Sequence, residues 1–471
     1  MIDISQIEIE GLFGNRNISL PVRNNALVLV GPNGIGKSSV VNIFYYFITR
    51  QWSRLLSFEF KSITVVVDGE RIFAARDDIS GLSNFKSISS SFSPSSRFRL
   101  YLEQLFEADL AEAFFSYHEK IPYSERQTYS DALGISPTEV SVFHRNVIRR
   151  LLSIEGGELM PRPRLNLERR IAHMIPGRAL YLPTYRRIEK DIRDIFPDFE
   201  ARYRAYTGEP MDLKAGRSAA HYIELVSFGM EDVRENISSK MEDIRDYSLS
   251  QYNGLSGKYL RDVIHGKADK YNSNDINAIS ANLIDEILAR VNEDALSADD
   301  KDLLREKILS IQGKPKASVD KNERYLARYF TRLMSANEDI STRERDIKGF
   351  VRVCNAYLLP TKYMLYDEQN FSVTIHERGG SEIDMSVLSS GEKQIVSIFA
   401  HIYLEDVSNQ IVVIDEPELS LSVPWHKRFL TDIVASGRCS FLVAVTHSPF
   451  IYENELRASA SDLRKRTVVT G

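Results

Sequence analysis

Residues 26–39 read ALVLVGPNGIGKSS: five apolar residues, three glycines within six positions, then Lys-Ser-Ser at the head of a helical pattern. An unbroken apolar run marks a strand buried on both faces, and such strands belong to parallel sheets covered by helices. The chain is therefore expected to be α/β. The glycines at 31, 34 and 36 let backbone N–H groups wrap an anion without Cβ clashes, at the positive end of the following helix. On this pattern Asn33, Gly34, Ile35, Gly36, Lys37, Ser38 and Ser39 are expected to hold nucleotide phosphates. Lys37 would neutralise phosphate charge, and Ser38 would offer its hydroxyl to Mg²⁺.

A second apolar run, IVVIDEP at 411–417, ends in two carboxylates. Its four β-branched residues predict a central strand, with Asp415 and Glu416 emerging at its C-terminal end. Asp415 would hold Mg²⁺ through water. Glu416 would orient and deprotonate the attacking water, because in-line phosphoryl transfer needs a placed nucleophile and little else from the protein. Taken alone, the same residues also read as an acidic loop after a core strand. CSFLVAVTH (439–447) places His447 at the end of a third such strand, either as a polar loop residue or as a contact to a γ-phosphate. LSSGEKQ (388–394) puts Ser389, Ser390 and Gly391 at a helix start, where hydroxyls, N–H groups and the helix dipole can face an anion. On spacing alone, an ordinary N-cap with Glu392 in the first turn is the favoured reading.

Composition narrows the class. With 60 basic against 65 acidic residues there is no global field for nucleic acid or membrane, so any such contact must be local. Two cysteines make no disulfide framework and suggest a reducing, cytoplasmic setting. The start MIDISQIEIEGLF alternates like a strand and carries no visible signal peptide. The longest apolar runs are too short to cross a bilayer, so no membrane partner is expected.

Strand patterns crowd both ends of the chain. IEIE (7–10), ISL (18–20), ALVLV, a helix from Lys37 to about Trp52 and a hairpin with Asp-Gly at its turn (63–75) make an N-terminal α/β part over 1–95. A helical insertion is expected over 96–175 and a return strand near 179 within 176–231. A helical arm follows over 232–360, broken near Gly266 and Gly313–Pro315, then a C-terminal α/β part over 361–471. A single helix across 232–264 would be about 50 Å long.

The four motifs in this order resemble the ABC-type ATPase head: a P-loop sheet formed from both chain ends, with a large helical insertion. The resemblance covers roughly 1–75 and 363–450, and implies ATP and Mg²⁺ as ligands. It also implies a head-to-head homodimer or higher even oligomer, in which Ser390 and Gly391 act on the neighbour's ATP and Glu418–Leu421 run along the interface. LSSGEKQ is more similar to the RecF, SMC and OLD branch than to transporter ATPases. The glutamine that normally touches Mg²⁺ is not found; Thr184, Tyr185, Arg186 or Arg187 stand where it is expected. Within the branch, residues 44–63, LPTYRRIE and IDEPELSLSVPWH resemble stand-alone ATPase subunits of phage-defence systems, the PtuA family of Septu first and the AriA family of PARIS second. That likeness implies slow ATP hydrolysis controlling a partner nuclease of HNH or TOPRIM type, since only about two dozen residues follow His447. The alternative is a RecF-like DNA-maintenance ATPase. Between Arg145 and Arg193 twelve basic residues face five acidic ones, which reads as a solvated face or as a nucleic-acid contact.

Overall fold

Strands from both ends of the chain meet in one parallel sheet. The computed structural model describes residues 2–79, 92–93, 96–108, 110, 114, 120–153, 162–183, 218–219, 222–225, 230–267, 273–291, 296–407 and 409–470. In chain order the strands are β1 (Ile4–Leu12), β2 (Arg16–Pro21), β3 (Ala26–Val30), β4 (Ser62–Val67), β5 (Glu70–Ala75), β6 (Ala179–Leu182), β7 (Ser218–Ala219), β8 (Tyr222–Glu224), β9 (Lys362–Asp367), β10 (Ser372–Glu377), β11 (Glu382–Ile383), β12 (Gln410–Asp415), β13 (Cys439–Val445), β14 (Ala460–Asp462) and β15 (Thr467–Val469). Two compact units result, Met1–Ser227 with Val407–Gly471, and Phe228–Asp406.

The first unit holds a seven-stranded sheet in the order β14-β3-β13-β12-β6-β8-β7. Its neighbours are parallel except β7 with β8. Leu27 pairs with Val443 and Val443 with Val413, so residues more than 400 positions apart share one row. Every residue of β12 is buried, as expected for a strand covered on both faces, and each such Val or Ile contributes roughly 1.5–3 kcal/mol of burial. A five-stranded antiparallel sheet, β15-β2-β1-β4-β5, supplies the second layer. In β1 the buried Ile7 and Ile9 alternate with Glu8 and Glu10, which lie toward solvent. Between the layers runs the Lys37–Ile48 helix, whose Phe44, Tyr45 and Phe47 are 1% exposed or less.

That helix stops four residues before the Trp52 end expected from sequence. Thr49 Oγ1 donates to Tyr45 O at 2.7 Å, and Arg50 takes a left-handed φ of 58° that breaks the run. A five-residue helix, Trp52–Leu56, follows. The helices Arg97–Glu107, Arg126–Leu133 and Pro137–Ser153 enclose a small aromatic core of their own, with Phe114, Tyr129 and Phe143 buried.

One close approach ties the two chain ends together. A Cβ on Gly177 would lie 2.1 Å from the carbonyl oxygen of Asn409. Neither backbone can yield without disturbing the β6–β12 pairing beside it. Gly177→Ala is expected to destabilise the protein by about 2–4 kcal/mol, the upper range for overpacking. Urea denaturation followed by circular dichroism measures it; an unchanged midpoint would contradict the close approach.

The second unit is built on two long helices, Met230–Ile264 and Lys321–Leu358, packed along each other. At 1.5 Å per residue, the first is about 52 Å long. Chain breaks fall where the glycines allow them, at Gly266 (φ 60°) and Gly313 (φ 73°). The shorter helices Ala281–Ala289 and Ala298–Ile311 close a core around Ile284, Ile308 and Phe330. The sheet β11-β10-β9 and the Ser390–Tyr403 helix complete the unit. No helix among the described residues is long and apolar enough to cross a membrane.

Candidate nucleotide site

Because β13 lies between β3 and β12, three loops leave the sheet side by side at the carboxyl ends of its strands, where open α/β sheets bind ligands. β3 delivers the glycine loop, β13 delivers His447, and β12 delivers Asp415 and Glu416. The loop conformation is one only glycine holds easily: Gly34 has φ 76°, and Gly36, the N-cap of the Lys37–Ile48 helix, has φ 104°. A Cβ on Gly36 would also come within 3.0 Å of the Phe13 ring.

Lys37 is 5% exposed, and its ammonium uses three protons inside the loop. Nζ donates to Gly31 O at 3.0 Å, to Pro32 O at 3.1 Å and to His447 Nε2 at 2.8 Å. When Nε2 accepts from the ammonium, the imidazole is neutral and carries its proton on Nδ1. Burial holds the Lys37 pKa below the usual lysine value, against the pull of Glu416, Asp415 and Glu418. Ser38 Oγ donates to Asp415 Oδ1 at 3.2 Å. Asn33, Gly34 and Ser38 are exposed, while Ile35, Gly36 and Ser39 are half-buried.

Glu416 sits just past the end of β12 in a left-handed conformation, φ 55°, unusual for a residue with a side chain. Its N–H donates to Val445 O at 2.9 Å, and its carbonyl accepts from Leu419 N at 3.1 Å, which holds the strained turn. Oε1 is 3.3 Å from His447 Nε2. Burial first, then the Glu418 carboxylate and a hydrogen bond with it, then Asp415, push the Glu416 carboxyl up to about 8, with Lys37 opposing.

Ser38 and Asp415 present hard oxygens to one point, the donor set that Mg²⁺ takes when most of its shell is water and phosphate. Among the described residues no group of three His, Cys, Asp or Glu is arranged to hold a metal alone. The residues present therefore fit a Mg²⁺ that shares its ligands with a nucleotide.

The turn Ser389–Gly391 belongs to the second unit. Ser389 is the N-cap of the Ser390–Tyr403 helix in a capping box: its Oγ accepts from Glu392 N at 3.4 Å, and its N–H donates to Glu392 Oε2 at 2.7 Å. The box leaves the N–H groups of Ser390 and Gly391 outside it, with Ser390 exposed and Gly391 buried. Both expectations for this turn thus coexist, an N-cap at Ser389 and an open helix start beyond it. Lys362 on β9 donates to Glu392 Oε2 at 2.8 Å. Burial raises Glu392, but its bonds from Lys362 and Ser389 outweigh that and hold its carboxyl below the usual range.

Two neighbours of the glycine loop escaped sequence reading. Phe13, at the β1–β2 turn with φ 54° and 43% exposed, lies against Gly36. The Arg16 guanidinium lies 5.4 Å from its ring centroid and donates to Ile35 O at 3.1 Å. An exposed ring beside a phosphate loop is a signal only once the hairpin is folded. Thr184, Tyr185, Arg186 and Arg187 lie outside the described residues, as does part of the basic stretch 145–193.

A glycine loop opening a helix after β3, with an acidic end on the parallel strand one removed, is the arrangement of a P-loop nucleotide-binding sheet. Residues 190–453, more than half of the chain, match the family AAA_21, described as AAA domain, putative AbiEii toxin, Type IV TA system. The chain belongs to that family. No curated protein matches it. Among solved structures it is similar to an Smc head domain from Pyrococcus furiosus (12% identity, 100% of this chain and 97% of that one, TM-score 0.32) and one from Pyrococcus yayanosii (13% identity, 100% and 98%, TM-score 0.30). TM-scores this low carry nothing about function, and the architecture stands on its own strand order.

Proposed function

We propose that this chain binds and slowly hydrolyses ATP with Mg²⁺, that two copies close on the nucleotide, and that the closed state controls a partner nuclease in defence against phage. The supporting observation is the convergence of Lys37, Ser38, Asp415, Glu416 and His447 at one end of one sheet. In this reading the N–H groups of residues 33–39 and the Lys37 ammonium take the β- and γ-phosphates, and Phe13 offers a face to the base. Mg²⁺, when bound, supplies charge neutralisation at the phosphate oxygens. Glu416 holds the attacking water in line, and His447, released from Lys37 and carrying its proton on Nε2 instead of Nδ1, donates from Nε2 to the γ-phosphate.

Ser389, Ser390 and Gly391 serve the nucleotide of the other copy, using N–H groups their capping box leaves open. The family's toxin–antitoxin description and the resemblance to Septu and PARIS ATPase subunits support the defence role, with an HNH or TOPRIM nuclease as the controlled partner.

Mixing tests the two-copy reading. Lys37→Ala and Gly391→Glu should each be inactive, whereas their mixture forms pairs in which one of two sites is intact. Exchange at random then restores roughly a quarter of wild-type turnover in a two-fold pair. A mixture as inactive as its components would overturn shared sites, and activity in Gly391→Glu alone would remove the turn from the mechanism. Co-purification of an HNH or TOPRIM protein supports the defence role; tight, salt-sensitive DNA binding by the chain alone would favour a RecF-like role instead.

A further inference from the structure

The carboxylate of Glu418 has no part in the nucleotide-binding scheme above, yet besides its hydrogen bond with Glu416 it makes three bonds to the neighbouring turn. Its Oε2 accepts from Thr446 Oγ1 at 2.8 Å, and its Oε1 accepts from His447 N at 2.8 Å and from Ser448 N at 3.2 Å. All three donors lie on the turn that carries His447. The backbone around Glu418 is anchored separately: its carbonyl accepts from Leu421 N at 3.2 Å, and the buried His426 ring places Nε2 3.2 Å from that carbonyl and 3.0 Å from Leu421 O.

The location explains why such a strap is needed. β12 and β13 pair in parallel up to Asp415 with Val445, and the last ladder bond between them is Glu416 N to Val445 O. Beyond that bond the two strands part into turns, one carrying Glu416 and the other His447. Glu418 takes over where the sheet ends. The distances that matter for chemistry, 2.8 Å from His447 Nε2 to Lys37 and 3.3 Å to Glu416, depend on how these turns sit on each other.

A third carboxylate next to Asp415 and Glu416 adds like-charge repulsion. The three donors offset it, and with at least one N–H or O–H on each oxygen they fix the carboxylate's orientation.

We propose that Glu418 is a positioning residue for turnover, strapping the 446–448 turn to the turn after β12 and so holding Nε2 of His447 in register with Glu416 and Lys37. This rests on the ATPase reading of the site. It assigns Glu418 a role through His447 and none in touching nucleotide.

Steady-state ATP hydrolysis by the full chain, with separate measurement of ATP affinity, tests it in a double-mutant cycle. Glu418→Ala should lower kcat about 10- to 100-fold, the usual cost of losing a residue that orients a site, with KM moving less than about threefold. Glu418→Gln keeps an oxygen for the two N–H groups and should recover most of kcat. In a His447→Ala background, Glu418→Ala should cost far less, no more than its contact with Glu416 accounts for. A full additional loss in that background would overturn the proposal, as would an unchanged kcat or a loss confined to ATP affinity. If Glu418→Ala does not fold, Thr446→Val, which removes one of the three bonds, carries the same cycle with a several-fold loss expected. Wild-type turnover by His447→Ala would instead overturn the reading of His447 itself, so the two failures are distinguishable.

Discussion

Lys37→Ala is expected to lose measurable ATP binding, whereas Glu416→Gln is expected to bind ATP normally, turn it over roughly 10²- to 10⁴-fold more slowly, and accumulate as nucleotide-bound pairs. The contrast follows from where each group stands. The Lys37 ammonium fills the middle of the loop, with its protons on Gly31 O, Pro32 O and His447 Nε2. Without it, a polyphosphate would face inward-pointing carbonyls and the carboxylates of Asp415, Glu416 and Glu418 without the cation that fills the loop. Each unneutralised charge at such distances costs several-fold to many-fold in affinity.

Glu416 stands at the far edge of this set, 3.3 Å from His447 and in contact with Glu418. Glutamine preserves its shape and removes its capacity to take a proton from water. Isothermal titration, phosphate release and light scattering with ATP separate the three quantities. Equal turnover by the two variants would remove Glu416 from the chemistry.

How much of this was visible in the chain beforehand depends on the range over which each feature is encoded. The loop at 31–39 and the strands ending at Asp415 and His447 are local patterns, continuous apolar runs followed by turn chemistry, and each strand lies where its run predicts. The strand order is not local. That β13 separates β3 from β12, and so brings His447 between Lys37 and Glu416, follows from parallel pairing across more than 400 positions. Phe13 and Arg16 were illegible for the same reason: the strand pattern of the first residues runs on through Phe13 and does not point to Gly36 until β1 and β2 fold their turn against it. Trp52 was assigned to the first helix because apolar spacing continues past Ile48, while the Thr49–Arg50 break depends on one hydroxyl and one left-handed residue. The resemblance places Glu418 on a turn expected at an interface, and its three bonds to the His447 turn could not be read from that.

Glu344→Ala is expected to carry the largest stability cost among single substitutions in the second unit, about 3–5 kcal/mol, the range for removing one partner of a buried ion pair. Glu344, midway along the Lys321–Leu358 helix, is fully buried. It accepts from Arg290 at 3.1 and 2.8 Å and from the Tyr366 hydroxyl at 2.9 Å, with Lys348 Nζ 3.2 Å away. Arg290 also reaches Glu368. Alanine would leave a guanidinium only 9% exposed with the partly exposed Glu368 and a long bond to Ser341 Oγ at 3.5 Å, and would strand the Tyr366 hydroxyl, whose pKa burial and Glu344 together hold far above the usual tyrosine value. The consequence travels along β9. Tyr366 and Met364 tie this strand to the long helix, the latter through paired bonds with the Asn355 side chain at 2.9 and 2.6 Å. The same strand carries Lys362, which holds Glu392 at the head of the Ser390–Tyr403 helix. Loosening β9 should therefore weaken the capping of the 389–391 turn as well as the core. Glu344→Gln, which keeps the shape and one acceptor, should cost less than half as much by the same reasoning. Chemical denaturation of both variants measures the difference, and equal midpoints for Glu344→Ala and the wild type would show that the buried ion pair does not hold the helix to the sheet.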